Sequence, residues 1–536
     1  MEKRGPKSVS ATNQTSNSYD EIPYSSGAYR QSHPDHLAAL ATLFGMSPRD
    51  IHSCRVLEIG CANGANLLPM ASTLPHSTFI GIDLSAKQIA EGQGWARDLQ
   101  LGNVELHHLD LSELGQRFGK FDYIIAHGVY SWVPAGVREH LLAACRDCLH
   151  EQGVAYVSYN TNPGWGMRGT LRDMMLYHSR KFPDAREQIG QARALIHWLA
   201  EVVQAEGSPY GMLLQQELER MKSWRDEYLR HDSLEEVNEP VYFHQFVDQA
   251  ESHSLKYLAE ADLPSMFAGN YDEKVNAKVH QLGGDIIELE QYMDFVRNRM
   301  FRQTLLCHRS VPLDRALNPS RLTSFHFVSS LRPISENPDL TPGQIEEFRC
   351  RDGSSATTNQ PIAKAAFVTL SERSPDSLSF ADLLTEVRSR LEKCGLKPSP
   401  DIGANREAMG SILLQCIFRG FCEIHRFPPQ FQMVPGERPK ACPIAAFQAD
   451  RSWFVTNRRH ECITLDELGR HLLSLLDGVR TRGDIAEELA RLADSGELEV
   501  KPGDTPVTDP VQLRGILKQK VDEQVMRLGR CALLVS

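Results

Sequence analysis

The sequence predicts an α/β fold: a largely parallel sheet built from βαβ units, with a helical insertion and two small α+β modules after it. Three observations predict this. Short apolar runs alternate with helical periodicity from residue 19 to about 160, residues 166–240 are helical in pattern without a strand signal, and residues 346–536 twice repeat short helices closed by a strand. At 536 residues the chain exceeds one ordinary core, and about 150 residues per domain gives three or four units.

Residues 1–18 are polar and rich in Ser, Asn and Thr, the composition of a disordered tail. The first unit, 19–165, contains five runs that read as strands: RVLEIG (55–60), TFIGIDL (78–84), NVELHHLDL (103–111), FDYIIAHG (121–128) and VAYVSYN (154–160). Each is rich in β-branched or aromatic residues and bounded by turn formers, as strands covered on both faces must be. Helical patterns at 64–74, 85–100 and 135–150 separate them, which gives right-handed crossovers and parallel pairing. Residues 166–240 predict an all-helical insertion, with a separate helical domain as the alternative, and 241–310 twice repeat a helix followed by a strand, predicting a return to the sheet. The stretch 311–345 is rich in Pro, Ser and Asn and reads as a linker with one strand, LTSFHFV, inside it. Residues 346–440 and 441–536 read as two winged-helix-like modules.

The net charge of −11 and pI near 6.0 argue against a general electrostatic grip on nucleic acid or anionic membrane. Over 441–536 there are 13 basic against 15 acidic residues, so this module is expected to pack on protein, its own chain or a second copy rather than read DNA. The N-terminus lacks the apolar centre of a secretory signal, and no stretch approaches the ~20 apolar residues of a membrane span. A cytoplasmic chain without membrane insertion is the expectation. Twelve scattered cysteines agree with it; Cys145 and Cys148 share a helix face and read as packing, and no histidine spacing suggests a metal site.

The chemistry concentrates in VLEIGCANGANLLPMA. Gly60 and Gly64 let the chain reverse from strand to helix with a ligand close to the backbone, and Asp83 ends the second strand, where an acidic side chain accepts hydrogen bonds from ribose hydroxyls. A dinucleotide fingerprint would read GxGxxG; here Ala62 replaces the second glycine and the third is missing. Glu58 would repel a pyrophosphate but suits a cation. S-adenosylmethionine (SAM) combines a ribose, an α-amino group and a positive sulfur.

ExGxxxG with an acidic residue closing the second strand resembles motifs I and II of Rossmann-like class I SAM-dependent methyltransferases. The resemblance implies that Glu58, Gly60, Cys61 and Gly64 surround the amino-acid part of SAM and that Asp83 binds the ribose with Leu84 beside the adenine. It further implies that Asp110 meets the adenine amino group with Leu111 flanking, and that His127 and Gly128 line the sulfonium and substrate entrance. Longer blocks, among them YDEIPY (19–24), HGVYSWVP (127–134), YNTNPGW (159–165) and FRQTLLCH (301–308), resemble methyltransferases carrying a methyltransferase regulatory domain, a group that includes bacterial lysine methyltransferases acting on outer-membrane proteins.

Acceptor residues are expected at the carboxyl ends of the fourth and fifth strands. Tyr130, Trp132, Tyr159, Asn160 and Trp165 are the candidates, with aromatic faces holding a cationic amine and Tyr19 and Tyr24 closing over the cofactor. The expected reaction is methyl transfer from SAM to a protein side-chain amine, lysine first, with the C-terminal units presenting a large substrate or a second subunit. The alternatives are a small-molecule acceptor and a SAM-binding scaffold without turnover. A nucleic-acid acceptor is disfavoured by the acidic charge and by NPGW following the fifth strand, where the NPPY of amine methyltransferases follows the fourth.

Overall fold

A computed structural model describes residues 26–203, 208–397, 399–499 and 510–536. Tyr19, Tyr24 and the tail 1–18 lie outside the described residues. Seven strands form the central sheet: β1 (Arg55–Ile59), β2 (Thr78–Asp83), β3 (Val104–His108), β4 (Phe121–Ala126), β5 (Leu149–Asn160), β6 (Leu255–Glu260) and β7 (Phe301–His308). Their order is β3-β2-β1-β4-β5-β7-β6. The first five run parallel, and β7 pairs antiparallel with both β5 and β6. The chain reverses its direction of travel across the sheet at β1, so a crevice opens beyond the carboxyl ends of β1 and β4.

The runs became strands because both sheet faces are covered. Val56, Phe79, Tyr123 and Tyr156 point into one core; Leu57, Ile80, Ile124 and Ala155 alternate into the other. Cys145 and Cys148 are both buried on helix Ala135–Cys148, in the second core.

Between β5 and β6 the chain forms helices Gly164–Ser179, Ala185–Val202, Pro209–Ser223 and Asp226–Ser233. Their apolar stripes, including Leu171, Ile189, Ile196, Leu214 and Leu229, close on one another in a separate core with no member outside 171–234. The sheet then resumes with helix Phe243–Ser252 and β6, so these four helices interrupt a single sheet.

Strand His326–Ser329, inside the stretch read as a linker, is the centre of a three-stranded sheet, flanked by Leu378–Ser379 and Cys422–His425. Helices Pro361–Arg373, Phe380–Lys393 and Ile402–Phe418 pack around it. The last unit combines the hairpin Phe454–Thr456/Cys462–Thr464 with helices Glu467–Leu475, Arg482–Asp494 and Pro510–Arg530. Buried residues of both C-terminal units, such as Phe327, Leu413, Leu472 and Val525, belong to the same continuous core as Val56 and Phe79 of the sheet.

Candidate functional site

A cavity of about 640 Å³ opens at the carboxyl ends of β1, β2, β4 and β5. Its position follows from the sequence: Gly60 leaves β1 at φ +74, in the left-handed region, and a Cβ there would stand 2.6 Å from Val129 Cγ2. The N–H groups of Gly60 and Cys61 both donate to the Ile82 carbonyl, which ties the β1 turn to the end of β2. The helix proper begins at Leu67. Ala62 also adopts a left-handed φ of 50°, where a glycine would sit without strain, and its N–H donates to Asp83 Oδ2 at 2.8 Å.

Glu58 lines the cavity from the end of β1. Asn66 Nδ2 donates to its Oε1 at 2.8 Å, while Oε2 is buried and has no hydrogen-bond partner. Burial pushes the Glu58 carboxyl up to about 8; the Asn66 hydrogen bond opposes this and the nearby Asp83 adds to it. A buried carboxyl with one idle oxygen suits a cation, whose approach would favour loss of its proton. Asp83 stands beside it at the end of β2, its Oδ1 accepting from the Ser85 N–H at 2.8 Å. Asp110 is half-buried and held below the ordinary carboxylate range by hydrogen bonds from the Ser112 hydroxyl and N–H. Apolar Leu84, Leu109, Leu111 and Val133 complete that end.

His127 and Gly128 follow β4. His127 Nδ1 pairs with the Tyr156 hydroxyl at 2.8 Å, the Gly128 N–H donates to Ser158 Oγ at 2.7 Å, and burial lowers His127 to about 4, so its ring is neutral. The Tyr29 ring stacks on His127 with centroids 3.7 Å apart.

Most of the residues anticipated from the sequence meet here, with corrections. Glu58, Gly60, Asp83, Leu84, Asp110, Leu111, His127 and Gly128 line the cavity, as do Trp132, Asn160 and Trp165. Cys61 and Gly64 stand behind the wall: the Cys61 thiol packs where a Cβ on Gly81 would be, and Gly64 rests on Leu106 and Leu68. Tyr130 and Tyr159 are core aromatics. They pack with Phe246, the Tyr130 hydroxyl bonds Gln249, and the Tyr159 hydroxyl bonds Thr304 Oγ1 at 3.0 Å. One face of Trp165 is already taken by a cation, because the Arg168 guanidinium lies 4.6 Å from its ring centroid and 4.5 Å from that of Trp224. Arg168 is itself buried, paired with Glu217 at 3.3 Å.

The sequence reading missed Tyr29, Arg168, His231, Asp232, Met300 and Phe301, all of which line the cavity. His231 Nδ1 meets Glu235 Oε1 at 2.9 Å. Burial raises the Asp232 carboxyl above its ordinary range, with Arg168 and His231 opposing. No local motif marks them; only the position of helix Asp226–Ser233 over the sheet edge does.

Comparison with known proteins bears on the same residues. Residues 56–153 match a methyltransferase domain, 225–308 a predicted methyltransferase regulatory domain, and 437–533 the C-terminal winged-helix domain of PKMT. An uncharacterized protein of Rickettsia prowazekii is 35% identical over 530 residues, 97% of this chain and 94% of that protein. The structure of PKMT2 from Rickettsia typhi in complex with AdoHcy superposes with a TM-score of 0.86 at 31% identity, covering 96% of this chain and 100% of that one. The chain belongs to the PKMT family. It is a SAM-dependent methyltransferase with a Rossmann-like catalytic sheet and a C-terminal winged-helix domain. AdoHcy is what SAM becomes on losing its methyl group, and the idle, buried oxygen of Glu58 beside Asp83 fits the ammonium and ribose that both molecules share. The regulatory-domain match contains β6 and β7, so that segment is part of the catalytic sheet. Among the described residues no helix is long and apolar enough to cross a membrane.

Proposed function

We propose that this PKMT-family enzyme methylates the side-chain amine of lysine in a protein acceptor. The observation that carries the proposal is the continuity of the cavity: past the cofactor residues it extends into a compartment walled by Trp132, Asn160, Trp165, His231 and Asp232, an acidic group among aromatic ones. Kinship with PKMT2, whose name denotes a protein lysine methyltransferase, supports the same class of acceptor.

In this reading Glu58 holds the α-ammonium of SAM and Asp83 its ribose hydroxyls, with Leu84, Asp110 and Leu111 flanking the adenine. SAM supplies a methyl group activated by its sulfonium. Neutral His127 keeps a further positive charge away from that sulfur. Lysine must lose a proton before it attacks, and the raised Asp232 carboxyl is placed to accept it while attracting the incoming ammonium. The edge of Trp132 and the Asn160 carboxamide, held by Asn238 at 3.1 Å, orient the amine for in-line displacement.

The test is incubation with methyl-tritiated SAM and a lysate separated into protein, nucleic-acid and small-molecule fractions, followed by amino-acid analysis of labelled protein. Methyl-lysine is the expected product. Label confined to small molecules, or to protein residues other than lysine, would overturn the proposal.

A further inference from the structure

Among the described residues none beyond Phe301 lines the cavity, yet the C-terminal winged-helix domain comes within one side chain of it. The hairpin turn between Thr456 and Cys462 carries His460, buried and at φ +59, and its Nε2 lies 2.8 Å from Asn66 Oδ1. Asn66 is the residue whose amide holds Glu58. Its four hydrogen-bonding positions are all used: Nδ2 donates to Glu58 Oε1 and to Ser32 Oγ at 3.1 Å, and Oδ1 accepts from the Tyr29 N–H at 2.9 Å and from His460. We infer that His460 is a positioning residue for the cofactor carboxylate, acting from the C-terminal domain through Asn66 to hold Glu58.

The chemistry runs in one direction only. With the Asn66 carbonyl oxygen turned toward it, His460 Nε2 is the donor, and burial keeps the ring neutral. Two donors fix the amide with its oxygen toward Tyr29 and His460 and its NH2 toward Glu58. A flipped amide would set carbonyl against carboxylate and NH2 against two N–H groups. With Oε1 engaged by Asn66, Oε2 is the oxygen left without a protein partner.

The turn that delivers His460 is itself braced. Asn457 Oδ1 accepts the N–H groups of Arg459 and Glu461 at 2.9 Å each, and its Nδ2 donates to Glu461 and to the Cys531 carbonyl. Arg459 pairs with Glu423 of the preceding module at 2.8 Å, and Glu423 in turn holds Arg30 at 2.7 Å. His33 packs against the His460 ring with centroids 5.1 Å apart. Every element that could let the imidazole drift is tied to another.

The inference rests on Glu58 receiving the cofactor's ammonium, and one set of measurements separates the two statements. AdoHcy affinity is measured by calorimetry on the full-length protein carrying Glu58→Gln, His460→Leu, His460→Gln, and Glu58→Gln with His460→Leu. Leu fills the buried space without a donor; Gln restores an N–H for Asn66. His460→Leu is expected to weaken AdoHcy roughly tenfold, as loss of a hydrogen bond supporting a charged group does. His460→Gln should recover most of it, and His460→Leu should cost nothing further once Glu58→Gln is present. No loss with Glu58→Gln overturns the reading of Glu58 and the inference with it. A loss with Glu58→Gln, but none with His460→Leu or the same loss in both backgrounds, overturns the role of His460 alone.

Discussion

The helical insertion and the C-terminal modules are both additions to one sheet, yet different physics joins each to it. The C-terminal modules continue the apolar core of the sheet, from Val56 and Phe79 through Phe327 to Leu472 and Val525, and brace the cofactor end of the cavity from behind. The insertion keeps a core of its own and meets the sheet region through the edge-to-face Trp132–Trp165 pair and through polar contacts: Asn160 with Asn238, the Glu239 N–H with the Ser131 carbonyl, and an ion pair between Arg138 and Glu239. It supplies Arg168, His231 and Asp232 to the cavity. Continuous apolar packing makes two units melt as one, whereas a separate core joined by polar contacts can loosen alone. Under the proposed function, cofactor binding falls to the rigid partnership and acceptor entry to the independent one.

The sharpest way to break it is to show that the two ends do not separate. Asp83→Ala is expected to weaken AdoHcy about 100-fold or more, since each hydrogen bond to a charged group is worth roughly 1.5–3 kcal/mol, as read by calorimetry. Asp232→Asn should leave AdoHcy affinity unchanged and lower kcat/KM for the protein acceptor by about 100-fold, the scale of a lost proton acceptor, measured with labelled SAM. Matching losses of AdoHcy affinity in both variants would dissolve the distinction.

Core truncations test the attachment itself. Ile196→Ala and Leu472→Ala each remove a fully buried side chain and should cost about 2–5 kcal/mol. Hydrogen exchange is expected to rise only within 166–240 for Ile196→Ala, and in both the C-terminal domain and 55–83 for Leu472→Ala. A smaller effect follows from Glu58, pushed up to about 8 in the free protein by burial, against the Asn66 hydrogen bond and with help from Asp83. A bound ammonium draws that pKa down, so binding at pH 7 releases a proton and AdoHcy affinity climbs as pH rises toward 8. The sign for stability is opposite. The folded, ligand-free state holds this proton more tightly than the unfolded chain, so its stability falls as pH rises from about 4.5 through 8. Calorimetry in buffers of different ionisation enthalpy reads the released proton, and Glu58→Gln should abolish it.

The parts of the molecule legible in the sequence are those where local pattern and tertiary environment agree. Strands β1 to β5 were readable because burial on both faces demands unbroken apolar runs, and Glu58, Gly60 and Asp83 because one strand–turn–helix places them together. Tyr159 and Asn160 show the limit. They are neighbours at the end of β5, the pleat sends one into the core and the other into the cavity, and the alternation of that strand was the signal that could have separated them. Arg168, Asp232 and His460 reach the site from distant helices and turns, and a single polar residue carries no periodicity to announce it. Strand His326–Ser329 lay within a Pro-rich stretch whose composition masked its central place in a sheet.

The Arg168 guanidinium between Trp165 and Trp224 has an optical consequence. Three of the chain's six tryptophans, Trp132, Trp165 and Trp224, gather around Arg168 at one end of the cavity, and a cation stacked between two indoles perturbs their excited states. Any movement of the insertion that parts the sandwich changes emission from those rings. Under the proposed function those fluorophores stand where the acceptor would enter, and stopped-flow emission would time its passage without a dye.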